Sequence, residues 1–384
     1  MTQAIAPGGI LGLLGGGQLG RMAALSARSL GYRVHALDPN PECPVRPLCE
    51  RFFHASLDDP DAAAQLAASV DVVSIEREDI GLESLAAVER VAPLRPGRHV
   101  LQTIQNRGVQ KQWLRSQGVP VGPFEILRSV RDLESAQKRF SGQTRFKAAC
   151  GGFDGRGQWS PSELPQRSSG DPFFEETQGL IAEQELELAD ELSVLVARSP
   201  NGETKAYPAA HNFHSEGALE TSVLPALLPS SLLLQAETLA VDITKALDVV
   251  GLLVVELFHT RKGELLVNEL APRPHNSFHS SEWACTTSQF EQLVRAVCGL
   301  PLGDVSVITP TAIANLYGDL WLEGNEERLI ELLGAPGLHL RLYDKSPRKR
   351  RKLGHFACTA ATPELALQRV ETYRQKLWGS GSKT

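Results

Sequence analysis

Two apolar runs joined by a turn restrict the fold of this chain more than any other stretch. Residues 251–259 and 264–270 are rich in Val and Leu, and Thr260-Arg-Lys-Gly263 between them carries a turn signal. The pattern predicts an antiparallel hairpin. With Lys262-Gly263 as a two-residue loop, Glu256 falls directly opposite Glu269. Such partners lie roughly 4.5–5.5 Å apart at Cβ, where like charges destabilise a sheet. A cation between them reverses that penalty, and Mg²⁺ takes one or two carboxylates together with water and phosphate oxygens. The competing reading is a solvated face on which two glutamates repel weakly.

The first hundred residues alternate strand-like and helix-like patterns. An apolar run at 9–14 precedes Gly15-Gly-Gly-Gln-Leu-Gly20, followed by a helical stretch from 21 to about 30. Strands are predicted at 32–37, ending at Asp38-Pro39, and at 70–75. This alternation implies a parallel sheet with crossover helices. A helix over 105–117 leads into a second unit with a short strand at 145–147, a polar loop at 160–172 and one acidic strand-like run over 181–191. Antiparallel strands are expected at 192–208 and 218–223, helices at 231–247 and 288–298, and short strands beyond Pro310. The fold class is α/β, with parallel and antiparallel regions mixed.

A chain of 384 residues has room for two or three domains with substantial cores. The net charge of −6 argues against a general polyanion binder, so no nucleic-acid partner is expected. No run of 18 apolar residues exists to span a membrane, and the N-terminus lacks the basic start and apolar stretch of a secretory signal. The cysteines at 43, 49, 150, 285, 298 and 358 show neither C-x-x-C nor metal-finger spacing. Reduced thiols in a cytoplasmic protein are the expectation.

Four further motifs carry chemistry. Gly15, Gly17 and Gly20 fit G-x-G-x-x-G between a strand and a helix, with Asp38 eighteen residues on. That spacing suits NAD(P), but it equally brings backbone N–H groups to another phosphate or polar ligand. Lys147 precedes Gly151-Gly-Phe-Asp-Gly-Arg-Gly157, a loop able to fold over phosphates, although not with P-loop spacing. Arg273, His275 and Asn276 follow the second acid closely and offer donors for a small oxyanion. Lys345-Ser-Pro-Arg-Lys-Arg-Arg-Lys352 has six cations in eight residues, enough for a phosphate monoester and without the interleaved aromatics of a nucleic-acid site.

Together and in this order, these motifs resemble the ATP-grasp ligases and, within them, the N5-carboxyaminoimidazole ribonucleotide synthetases of purine biosynthesis. The likeness rests on Gly15 to Met22, Ser74-Ile-Glu-Arg-Glu78, Ile104-Gln-Asn-Arg107, Gly152 to Trp159, His211-Asn-Phe-His214, Asn268-Glu-Leu-Ala-Pro-Arg273, His275-Asn-Ser277, Tyr343-Asp-Lys345 and Arg351-Lys-Leu-Gly-His355. The resemblance implies an N-terminal Rossmann-like domain over 1–108, a small ATP-grasp lid over 109–187, a larger antiparallel sub-domain over 188–308 and a β-rich C-terminal region over 309–384. It implies ATP-dependent carboxylation of 5-aminoimidazole ribonucleotide with bicarbonate, through carboxyphosphate, by a homodimer.

The resemblance also assigns residues. Arg107, Lys147 and the loop Gly152, Phe153, Asp154, Gly155, Arg156, Gly157 and Gln158 would meet the phosphates of ATP. Glu183, Gln184, Glu185 and Leu186 would hold adenine, with Glu191 on the ribose and His214 nearby. Glu256 and Glu269 would carry two Mg²⁺ ions (Mn²⁺ as a substitute), with Asn268 beside them. Arg273, His275 and Asn276 would hold bicarbonate. Gln18, Leu19, Glu76, Asp154, Arg156, Lys345 and Arg348 would bind the ribonucleotide, with Lys352 close by. The chain departs from the pattern at Ala148 and Ala149, where the resemblance leads one to expect a cation, and at Phe153 and Phe278. The alternatives are a formate-dependent glycinamide ribonucleotide transformylase of the same superfamily, an NAD(P)-dependent oxidoreductase and a non-catalytic nucleotide binder.

Overall fold

The computed structural model describes residues 4–151, 157–164, 178–215 and 217–378. Strands β1 (Ile10–Leu14), β2 (Arg33–Asp38), β3 (Arg51–His54) and β4 (Val72–Ile75) form a parallel sheet in the order β3-β2-β1-β4. Leu11 and Leu13 face one apolar cluster and Leu14 another, so both faces are covered. Burial on both sides is what a parallel sheet with crossover helices requires. The first helix spans Gln18–Ser29 rather than starting at 21, which places Gln18 and Leu19 in its opening turn at the end of β1. Glycine and glutamine looked like loop residues, but Gly17 takes the N-cap and the helix begins directly behind it.

A second, small sheet holds β5 (Phe124–Leu127), β6 (Thr144–Ala148), β7 (Gln158–Trp159) and β8 (Leu180–Gln184) in the order β5-β8-β6-β7. The third sheet contains β9 (Leu188–Arg198), β10 (Thr204–Ala206), β11 (Ala210–Ser215), β12 (Ala218–Leu224), β13 (Gly251–Thr260), β14 (Leu265–Ala271), β15 (Thr311–Tyr317), β16 (Leu338–Leu342) and β17 (Lys352–Thr359). Its order is β14-β13-β9-β11-β12-β15-β17-β16, with β10 on the side of β9. Alternation along β9 and β13 serves two cores. Leu195, Ala197, Leu252 and Val254 join the cluster that includes Leu11 and Met22, while Val194, Val196, Leu253 and Val255 pack with helix Ser230–Ala246. The pairing of β12 with β15 makes the C-terminal strands part of this same sheet.

The acidic run at 181–191 is two strands. It breaks at 185–187, where the chain leaves the small sheet and enters the large one. Helix Arg107–Ser116 runs between the sheets, capped by Asn106 Oδ1, which accepts from Gly108 N at 2.9 Å and Val109 N at 3.1 Å. Gln110 Oε1 accepts from Leu270 N at 3.1 Å and so docks this helix on β14.

Candidate active site

The hairpin β13–β14 pairs Glu256 with Glu269, as the spacing predicts, but through a different geometry. The turn has three residues rather than two: Thr260 N donates to Glu264 O, and Gly263 adopts φ +82°. A three-residue loop with glycine in the left-handed position is a standard hairpin closure. Near the tip the partners are therefore Leu257 with Val267 and His259 with Leu265. One extra residue, Asn268, then restores the register before the acids. Such a bulge breaks the alternation of side chains. Asn268 and Glu269 consequently line the same cavity as Glu256, with Asn268 Nδ2 3.4 Å from Glu256 Oε2.

Arg107, Lys147, Arg273, His214 and His275 stand around the acids. Arg107 Nη2 lies 3.8 Å from Glu269, and its Nη1 donates to the carbonyls of Ala148 and Gly151. His275 Nε2 lies 3.0 Å from Glu256 Oε1, while its Nδ1 is 2.9 Å from Ser277 Oγ and faces Ser277 N. That contact orients the ring so that Nε2 presents its proton to the carboxylate. Burial pushes the Glu256 carboxyl up, but the His275 hydrogen bond and the charges of His275 and His214 outweigh it and bring it below the usual carboxylate range. Burial and the charge on Glu256 push Glu269 up, against Arg107 and Lys147. Among the described residues no three His, Cys, Asp or Glu side chains converge to hold a metal alone. Two facing acids and an amide suit Mg²⁺, which draws its remaining ligands from water and phosphate. The strained pairing of Glu256 and Glu269 is the observation that fits such an ion.

Two connected cavities meet here. One, of about 780 Å³, lies between the small and large sheets and is lined by Lys111, Lys147, Gln158, Glu183, Gln184, Glu185, Leu186 and Glu191 among others. Lys147 Nζ donates to Glu183 Oε2 at 2.7 Å, and Lys111 Nζ lies 3.4 Å from Glu183 Oε1. Burial alone raises the Glu183 carboxyl, yet the two ammonium groups bring it to about 2. Lys111 responds in the opposite sense: burial lowers its ammonium below the usual lysine range despite Glu183. The two directions agree physically, because desolvation weighs on the fully enclosed lysine more than one carboxylate returns. Where the cavity reaches Glu191, His214 Nδ1 is 3.1 Å from Glu191 Oε2.

The second cavity, of about 530 Å³, runs from the acids to the parallel sheet and is lined by Gln18, Leu19, Glu76, Arg273, His275, Asn276, Lys345, Arg351 and Lys352 among others. Lys345 Nζ donates to Gln18 Oε1 across the two domains. Glu76, raised by burial against the charges of Arg273, Arg77 and Lys345, accepts from Leu19 N at 3.3 Å. Both amide atoms of Asn276 are buried without a hydrogen-bond partner, which suits a ligand with donors and acceptors. Arg348 is exposed and outside this lining, and Arg351 occupies the wall instead.

Several sequence assignments read differently at atomic detail. Gly152, Phe153, Asp154, Gly155 and Arg156 lie outside the described residues, while Gly157 has φ +68° and its carbonyl accepts from Ala148 N. Ala148 and Ala149 are buried, and neither is among the residues that line the two cavities. Asp38, the expected ribose ligand of a dinucleotide fold, accepts from Gly16 N at 2.7 Å and Asn40 N at 2.8 Å. A Cβ on Gly16 would strike Cys43, and one on Gly17 would strike Glu76. The glycines therefore serve close packing, and the NAD(P) reading fails. Two residues were missed: Lys111, one helical turn beyond Arg107, and Glu78, whose Oε1 lies 2.7 Å from Arg273 Nε. Lys111 was legible as an i+4 neighbour of Arg107; Glu78 sits in a motif already singled out.

The two-sheet clamp with paired acids at its floor defines an ATP-grasp ligase, and the ATP-grasp domain family matches residues 112–290. The ribonucleotide synthetase preATP-grasp domain matches 9–105, and the phosphoribosylaminoimidazole carboxylase C-terminal domain matches 311–369. N5-carboxyaminoimidazole ribonucleotide synthase of Bacillus subtilis is 38% identical over 359 residues, 92% of each chain. An ADP complex of N5-carboxyaminoimidazole ribonucleotide synthetase superposes with a TM-score of 0.89 at 36% identity, covering 98% of this chain and 99% of that one. The Aspergillus clavatus enzyme with ADP and 5-aminoimidazole ribonucleotide gives 0.86 at 26% identity, covering 97% and 99%. This chain belongs to the N5-carboxyaminoimidazole ribonucleotide synthase family.

Proposed function

We propose that the chain carboxylates the exocyclic amine of 5-aminoimidazole ribonucleotide with bicarbonate and ATP, releasing ADP and phosphate. The observation that carries this reading is the junction of the two cavities. Lys147, Gln158, Glu191, Gly217 and Phe258 line both, and the acid pair stands in the second beside that shared wall. ATP in the larger cavity would bring its terminal phosphate to Glu256, Glu269 and Asn268, and the ribonucleotide would approach from the other side.

Bicarbonate is a poor electrophile, so its oxygen must first take the γ-phosphoryl group of ATP. Phosphoryl transfer demands positioning and charge neutralisation more than covalent chemistry. Arg107 and Lys147 would hold the phosphates, and Mg²⁺ on the acids would neutralise charge on the transferring group. Arg273 and the open amide of Asn276 would orient bicarbonate, while His275, fixed by Ser277, keeps its Nε2 proton toward Glu256. The ribonucleotide amine then attacks the carboxyphosphate carbon with loss of phosphate, or attacks the CO₂ that has already parted from phosphate, and in either case the released phosphate can take the amine's proton. Gln18, Leu19 and Glu76 would cradle the aminoimidazole ribonucleotide, with its phosphate near Lys345 and Lys352. ADP release measured with and without 5-aminoimidazole ribonucleotide, and with formate in place of bicarbonate, tests the assignment. Stimulation by the ribonucleotide with bicarbonate alone is expected; release that instead requires formate together with glycinamide ribonucleotide supports the transformylase.

A further inference from the structure

Glu183 is one buried carboxylate with two ammonium groups from different elements, Lys147 on β6 and Lys111 on helix Arg107–Ser116. The lysines are not equivalent. Lys147 also has Asn268 Oδ1 within 3.5 Å and lines both cavities, so it stands between Glu183 and the acid pair. Lys111 is 4% exposed, lines the larger cavity only, and has the Val267 carbonyl as its other contact. A polyphosphate entering beside the acid pair competes with Glu183 for Lys147. With no second cation, the departure of Lys147 would strand a buried carboxylate, which is strongly unfavourable.

We infer that Lys111 is a positioning residue for the nucleotide: it keeps Glu183 paired while Lys147 moves from Glu183 to the phosphates. The inference rests on the reading of the larger cavity as the nucleotide site. It makes Lys147 a transferable cation and Lys111 the fixed one. Lys111 then matters in proportion to the phosphate charge of the ligand and not to its adenine.

Titration calorimetry of the full chain with MgATP and with adenosine separates this from a packing role. Lys111→Met should weaken ATP on the order of tenfold or more and leave adenosine within about twofold, since only phosphate draws Lys147 away from the buried acid. Equal losses for both ligands, or no loss for ATP, overturn the inference. Lys111→Arg, which retains the charge, should recover a substantial part of the ATP affinity. A crystal structure of the unmodified chain with a non-hydrolysable ATP analogue gives an independent result should the variants not fold. Lys147 Nζ is expected on a phosphate oxygen and Lys111 Nζ hydrogen-bonded to Glu183. Lys147 still bound to Glu183 beside a seated nucleotide overturns the inference alone, whereas a nucleotide seated elsewhere overturns the site reading with it.

Discussion

Arg273 Nε sits 2.7 Å from Glu78 Oε1, joining the end of the antiparallel hairpin to the loop that follows β4 of the parallel sheet. Both side chains are largely enclosed, and Arg273 faces the cavity where bicarbonate is proposed to bind. Burial pulls the guanidinium down while Glu78 and Glu76 push it up, with a net upward shift.

Glu78→Gln should therefore destabilise the chain by about 3 kcal/mol, the lower end for breaking an enclosed ion pair. Urea unfolding of the variant checks this, and an unchanged midpoint would show that Glu76 suffices as the partner of Arg273.

Glu269→Gln is expected to separate stability from activity. Removing one of two facing acids relieves repulsion, so the ligand-free chain should gain about 1 kcal/mol. Turnover should fall on the order of 10²-fold, equivalent to roughly 3 kcal/mol of barrier. Thermal melts and ADP release on the same preparation give both numbers, and full activity would exclude a catalytic metal on these carboxylates.

Glu183 sets an acid dependence of stability. Its folded carboxyl stands at about 2, below the roughly 4.3 of a free glutamate. Ionised Glu183 thus stabilises the fold fully above the unfolded value, and the contribution is lost as pH falls toward the folded one. About 2 kcal/mol should disappear between about pH 5 and pH 3. Glu183→Gln should flatten that part of the urea-unfolding profile, and an unaltered slope would place the acid sensitivity elsewhere.

Gly17→Ala tests the wall proposed to hold the ribonucleotide. The added Cβ collides with Glu76 Oε1 although the backbone of Gly17 itself is unstrained. Displacing Glu76 should raise KM for 5-aminoimidazole ribonucleotide on the order of tenfold, roughly 1.4 kcal/mol. KM for ATP should stay near its original value; a rise in both would mean a general collapse.

Local pattern made much of the fold legible, because apolar periodicity is a short-range signal. The alternation that placed β1, β2 and β4, and the glycine turn of the β13–β14 hairpin, belong to this class. The acid pair was found through two compensating differences, a longer turn and a bulge, and side-chain spacing reveals neither. The division of 181–191 into β8 and β9 escaped because Gln184 to Glu187 keep a strand-like composition while the chain changes sheets. Lys111 and Glu78 escaped for a related reason: their partners, Glu183 and Arg273, come from distant segments. The helix Pro363–Trp378 also went unread.

Asn268 bears on how insertions act in this hairpin. The three-residue tip leaves the strands one step out of phase, and the bulge returns them to phase just before Glu269. Deleting Asn268 would leave Glu269 directly after Val267, the partner of Leu257, so the two acids would still meet face to face, without the amide between them. The bulge is thus slack in β14: one residue can be lost from 265–268 without parting the acids, whereas an added residue has to be taken up as further irregularity in the strand.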